Sequence, residues 1–229
     1  MGSDEPRGQP LRAVFGSELD QLRLQVEVMA VRVDENLERM RAVLDTGDET
    51  VAGRAVRADD DIDAMSVSLT ERCYELLVRE GPVAGDLRFV VSVLRVLGEF
   101  ERIGDLALRV VNLWPDHDLM RGRPSTYGLL LDLADAAIER YRDSMRAWAT
   151  MSVELATEVT DTPSTAGLYE ERLLSLLVAL EGTDAARVAV RTLVAGKSLE
   201  RIADHAGIIA VRLLYLLTGD AGHLSREVR

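Results

Sequence analysis

Residues 98–109 read GEFERIGDLALR, and a near copy, KSLERIADHAGI, occupies residues 197–208. The Glu-Arg-Ile cores start at Glu101 and Glu200, 99 residues apart, and each is followed two residues later by an aspartate, Asp105 or Asp204. Glu and Asp at i and i+4 put both carboxylates on one face of a helix. Around the first copy, Phe89, Val93, Val96, Phe100, Ile103, Ala107, Val110 and Trp114 alternate steps of four and three, the spacing of a helix-bundle seam. Around the second, Val188, Thr192, Ala195, Leu199, Ile202, Ala206, Ile209 and Leu213 repeat that seam 99 residues on. The chain is therefore organised as two similar halves.

Working outward, Phe15, Leu19, Leu22, Val26, Met29, Val33 and Met40 mark a first helix that ends near Thr46, Gly47 and Asp48. A second carries Val51, Ala55, Ala58, Ile62, Met65, Leu69, Cys73 and Leu76, holds the acidic run Asp59, Asp60, Asp61 and Asp63, and closes at Gly81-Pro82. Pro115, Gly122 and Pro124 compose a linker. Beyond it, Tyr127, Leu131, Ala134, Ile138, Tyr141, Met145 and Trp148 give a fourth helix. A fifth is expected over residues 152–180, kinked or split at Thr162-Pro163. Short turns between long helices make neighbours antiparallel, which predicts an all-α fold: a tandem repeat of two antiparallel three-helix bundles, six long helices in all. The expected layout is a disordered N-terminus (1–10), a first bundle (11–115), a linker (116–125), a second bundle (126–218) and a C-terminal tail (219–229).

Composition narrows the function. Aromatics are 4% of the 229 residues and hydrophobic residues 47%, which favours helices and suffices for an ordinary core. A net charge of −12 with no basic stripe argues against a nucleic-acid partner, whose affinity would come from clustered Lys and Arg. Cys73 stands alone, so an intrachain disulfide and a thiolate metal cluster are excluded. A reducing cytosol fits this. MGSDEPRGQP lacks a signal core, and no apolar run is long enough to span a membrane, so a soluble cytoplasmic protein is expected. Glycine-rich phosphate loops, Ser-His-Asp order and paired CxxC motifs are absent.

The carboxylates carry the sharpest expectation. Beside the first seam runs the row Val90, Leu94, Leu97, Glu101, Gly104, Leu108 and Val111, in which Glu101 takes a place the pattern assigns to an apolar residue. If the second and third helices fold back at Pro82, Asp63 comes opposite Glu101 and Asp59 opposite Asp105, because both helices rise at one rate. Four such acids repel one another and have to protonate or capture cations. The same construction about residue 181 sets Glu158 and Thr162 opposite Glu200 and Asp204, with Asp161 and His205 adjacent, which makes Glu158, Asp161 and His205 further candidate metal ligands. One acid is missing there. The bland alternative is plain surface ion pairing with Arg102 or Arg201. Trp114 and Trp148 fall on seams and read as core, His117 and His223 as loop and tail residues.

These residues resemble the PhoU family of bacterial phosphate-signalling regulators. PVAGDLR at residues 82–88 is similar to the family's turn between its second and third helices, and ERIGD and ERIAD match its E/DxxxD motif in both copies. The resemblance runs over residues 11–217. It implies divalent or trivalent metal ions such as iron, zinc, manganese or magnesium, held by Glu101 and Asp105 and by Glu200 and Asp204. It further implies a non-enzymatic adaptor that damps phosphate uptake and starvation signalling. Its partners would be the phosphate ABC transporter ATPase and a sensor histidine kinase, with membrane association only through them and a homodimer as the assembly. The rival readings are a ferritin-like carboxylate di-iron oxidase, whose Glu-x-x-His motifs neither copy supplies, and a metal-free helical scaffold. Thr162-Pro163 and Ser198, which stands where the first copy has Glu99, depart from the family pattern. The first copy is therefore expected to bind metal more completely than the second.

Overall fold

Long helix-forming runs punctuated by Gly and Pro turns fold here into helices that fill nearly the whole chain. The computed structural model describes residues 9–228. Helices α1 (Gln9–Thr46), α2 (Glu49–Glu80) and α3 (Ala84–Val111) fold back on one another. A 3₁₀ turn (Trp114–Asp116) and the five-residue α4 (His117–Arg121) lead into α5 (Pro124–Thr150). Then come α6 (Val153–Asp161), α7 (Thr165–Val178) and α8 (Ala185–Thr218), with a 3₁₀ segment (Ala221–Val228) following. Among the described residues there is no strand. No helix is long and apolar enough to cross a membrane, again among the described residues. The stretch 1–10 expected to be disordered lies outside the described residues except for Gln9 and Pro10, which begin α1.

Backbone chemistry places the breaks. Gly47 adopts φ +68°, a conformation costly for any residue with a Cβ, and Asp48 then caps α2 by accepting from the amides of Thr50 and Val51. The expected split of the fifth helix is present. Thr162, forced out of the helical region by Pro163, is extended (φ −86°, ψ 121°), and the Ser164 hydroxyl caps α7 through the Ala166 amide. Two sequence expectations shift at the linker. The third helix stops at Val111, short of Trp114, and His117 is no loop residue. It is buried on α4, edge-on to Tyr127 with ring centroids 5.8 Å apart.

The two halves, α1–α3 and α5–α8, share one continuous core. Thirteen of the 28 residues of α3 are buried, against eight of the 32 of α2, because α3 packs along both its own bundle and α8. Two cross-contacts make that pairing antiparallel: Glu99 meets His205, and the Arg88 guanidinium lies beside Gly219. On that register the level of Ile103 on α3 is the level of Ile202 on α8, so the repeated Glu-Arg-Ile cores cross at the centre of the molecule. Both isoleucines are fully buried. Alongside, the Tyr127 and Tyr141 hydroxyls of α5 donate to the Leu44 and Ala30 carbonyls of α1, and Arg41 and Arg142 pair with Asp135 and Asp34.

Candidate functional site

In the first half the chain folds back about Pro82 and sets Asp59 against Gly104, one residue from the expected Asp105. A Cβ placed on Gly104 would stand 2.6 Å from Asp59 Oδ1, so the absence of a side chain there is what lets α2 bring its carboxylate against α3. The midpoint of that contact falls between residues 81 and 82, at the Pro82 turn. Asp59 is 4% exposed, and its Oδ1 is buried without a hydrogen-bond partner. Burial, reinforced by Asp63, Asp105 and Asp60, pushes its carboxyl up from 3.8 to about 6. Asp63 is raised by burial and by Asp105 and Asp60. Asp59, Asp63 and Asp105 are thus electrostatic neighbours.

Glu101 departs from its expected place: it is exposed, as is Asp105. The buried acid of α3 is Glu99, 6% exposed, which accepts from Arg102 Nη1 at 2.6 Å and lies 2.6 Å from His205 Nδ1. Glu99 lies outside both rows read from the sequence on this helix, and it is buried where α8 packs against α3. His205, weighed from the sequence as a metal ligand, is occupied with this pairing across the two halves.

The second half differs in register. Lys197 Nζ lies 2.9 Å from Glu170 Oε1, and Leu173 lies against Gly196. Either pair has its midpoint at about residue 184, not at the expected 181, because six residues, 179–184, separate α7 from α8 where only three, 81–83, separate α2 from α3. A three-residue shift of the pivot moves facing residues by six. Glu158 and Thr162 therefore do not face Glu200 and Asp204; they line a small cleft with Arg140, whose Nη1 donates to the Thr162 carbonyl at 3.1 Å. Asp161 ends α6 at the break. The acid beside Glu200 is Glu170, 8% exposed, which sequence spacing missed, and Lys197 bridges the two at 2.9 and 3.6 Å. Asp204 is raised by burial, while His205, Arg201, Lys197 and Arg140 all pull it down.

Carboxylate oxygens suit hard cations such as Mg²⁺, Mn²⁺ or ferric iron. As the side chains stand, no three His, Cys, Asp or Glu among the described residues converge closely enough to hold one ion. The first half nevertheless fits such a group in donor chemistry: Asp59 Oδ1 is orphaned beside the Gly104 gap, its charged neighbours are acids, and Glu101 and Asp105 are exposed and free to change rotamer. The second half does not fit, because Glu170, Glu200 and Asp204 already face bases.

Fold and site define an acidic, all-helical tandem-repeat protein in which each half sets carboxylates between two antiparallel helices. The family model described as the PhoU domain matches residues 26–113 and again 130–213, and the chain belongs to the PhoU family. The phosphate-specific transport system accessory protein PhoU homolog 1 of Thermotoga maritima is 26% identical over 212 residues, covering 90% of this chain and 89% of the relative. A PhoU homolog of Xylella fastidiosa is 30% identical over 211 residues, covering 90% and 86%. The crystal structure of PhoU from Pseudomonas aeruginosa superposes with a TM-score of 0.84 at 28% identity, covering 90% of this chain and all of that one. The phosphate transport system regulatory protein PhoU from Streptococcus pneumoniae, at 22% identity and TM-score 0.79, shares the fold.

Proposed function

We propose that this chain is a regulatory accessory protein of phosphate transport that acts by binding other proteins and catalyses no reaction. The observation that carries this reading is the match of the PhoU domain to both halves, with relatives named as phosphate-specific transport system accessory proteins aligning over about nine-tenths of the chain. On this reading it works in the cytoplasm as a homodimer. Its partners are the ATPase of a phosphate ABC transporter and the sensor histidine kinase of phosphate signalling. Binding of the purified chain to each, in phosphate-replete buffer, tests it: affinity for at least one is expected, and failure with both overturns the reading.

The first-half carboxylates Asp59, Asp63, Glu101 and Asp105 hold a metal ion in the same proposal, supported by the unpartnered Asp59 Oδ1. The ion supplies positive charge that relieves the acids' repulsion and clamps α2 to α3. A metal-free scaffold is the second reading, favoured by the lack of a converged ligand set among the described residues. Elemental analysis of protein purified without chelator separates the two. Bound metal together with a rise in melting temperature on metal addition supports the first, and neither effect supports the second.

A further inference from the structure

The two copies of the repeat differ most in the charges that surround their acids. In the first, every charged group that perturbs Asp59 is another carboxylate: Asp63, Asp105 and Asp60. In the second, every one that perturbs Asp204 is a base: His205, Arg201, Lys197 and Arg140. At the 99-residue offset Asp204 repeats Asp105, and the offset accounts for two of these bases, Lys197 and Arg201. Lys197 stands where the first copy has Gly98, at which an added Cβ would find nothing nearer than Arg102 Nη1 at 4.0 Å. Arg102, for its part, is drawn away to Glu99 at 2.6 Å. In the second copy Glu99 is replaced by Ser198, whose hydroxyl donates to the Val194 carbonyl, so Arg201 meets no such acid there.

The opposing helix differs in the same sense. At the level where α2 sets Asp59 against Gly104, the second half has the start of α7, where Thr165 and Ala166 supply no carboxylate. The acid α7 does supply, Glu170, is 8% exposed and meets Lys197 Nζ at 2.9 Å, with Glu200 Oε2 at 3.6 Å on the other side of the same ammonium. Removing the ammonium would leave the Glu170 carboxylate buried without a counter-charge, whereas the Lys197 side chain is itself 49% exposed and would lose little by losing its partner.

We infer that the Lys197 ammonium occupies, in the second half, the place that a bound cation takes in the first, so that this chain holds metal at one of its two repeats and keeps the other closed by a covalently attached charge. This rests on the first-half metal reading above, and the two can be tested separately. A lysine in that place makes the second repeat independent of metal supply, while the first retains a metal-dependent contact between α2 and α3. The molecule then responds to metal at one end only.

The experiment uses the full chain with Mn²⁺ as the probe, bound metal being measured per chain after equilibrium dialysis. The Asp59→Asn/Asp63→Asn variant is expected to lose all the Mn²⁺ that the unaltered chain binds. Lys197→Met, which keeps the helix and removes only the charge, is expected to bind about twice as much, and the increment is expected to survive when Asp59→Asn/Asp63→Asn is added. If Asp59→Asn/Asp63→Asn retains about half of the bound Mn²⁺, the second repeat takes metal with Lys197 in place; that overturns the inference and leaves the first-half reading standing. If Lys197→Met binds no more Mn²⁺ than an unaltered chain that does bind it, the inference alone is overturned; if neither binds Mn²⁺, the first-half reading and the inference fall together. In EDTA, Lys197→Met lowers the melting temperature and Lys197→Met/Glu170→Gln recovers part of the loss if the ammonium neutralises Glu170. Absence of that recovery overturns the inference.

Discussion

Among the described residues Asp59 carries the largest resolved carboxylate shift, from 3.8 to about 6, and its direction sets a pH dependence. Because the folded carboxyl binds its proton more tightly than the unfolded one, the associated stability is fully present below pH 3.8 and is lost as pH rises through about 6. Two pKa units correspond to about 3 kcal/mol, an upper figure for a group whose neighbours can relax. In chelator, Asp59→Asn should therefore be more stable than the unaltered chain at pH 7.5 by about 1–3 kcal/mol in urea denaturation, with a flatter profile between pH 4 and 7. A destabilised variant at pH 7.5 would contradict the assignment. Gly47 makes a second residue-scale test. Its φ of +68° costs an alanine about 1–2 kcal/mol, and the new Cβ would stand 2.5 Å from Nδ1 of the buried His117. Gly47→Ala should lose about 2–4 kcal/mol, measured by the same denaturation. At this scale the sequence revealed Asp59 and Asp63 through simple counting from Pro82. It could not reveal Glu99 as the buried acid, since its partner His205 is 106 residues away and belongs to the other bundle.

Among the elements, the crossing of α3 and α8 is where the repeat stops being symmetric. The 99-residue offset relates the Glu99–His205 pair to Ser198 and Leu106, so one polar pair lies on one side of the crossing and has no counterpart on the other. His205→Ala removes one of the two partners of a nearly buried carboxylate and should cost about 1–3 kcal/mol. The double variant Glu99→Leu/His205→Leu, which leaves no charge behind, should recover much of that. A double-mutant cycle measures the coupling, and additive losses would show that the pair is idle. The helices themselves were legible because their seams step mostly by threes and fours, without interruption in α3 and α8, whose seams repeat each other 99 residues apart. The register of the second half was not. The three residues 81–83 between α2 and α3 fix the first pivot, whereas six, 179–184, separate α7 from α8, and that longer turn moves the second pivot by about three residues. That small shift exchanges Glu158 for Glu170 as the acid beside Glu200.

For the whole molecule, the shared core decides how the chain unfolds. Separating the halves would uncover the faces that α3 and α8 bury against each other, and each large aliphatic or aromatic side chain so exposed costs about 1.5–3 kcal/mol. No linker segment exists that could open first without loss, because Asp116, between the halves, is buried and paired with Arg187 at 2.5 Å and Arg191 at 2.8 Å on α8. The chain should therefore unfold in one transition despite its two repeats. It carries its own probes for this: Cys73 sits on α2 in the first half and Trp148 on α5 in the second, both nearly inaccessible. Burial pushes the Cys73 thiol up to about 12, so it stays protonated and unreactive until its helix opens. In a Trp114→Phe background, labelling of Cys73 by a thiol reagent and the emission of Trp148 should follow the same urea dependence, with calorimetric and van't Hoff enthalpies equal. The heat-capacity increment should be about 3 kcal/mol/K, the value for some 220 ordered residues melting together. Two separated transitions, with Cys73 exposed while Trp148 remains native, would show that the crossing is a docking contact between independent bundles and not a common core.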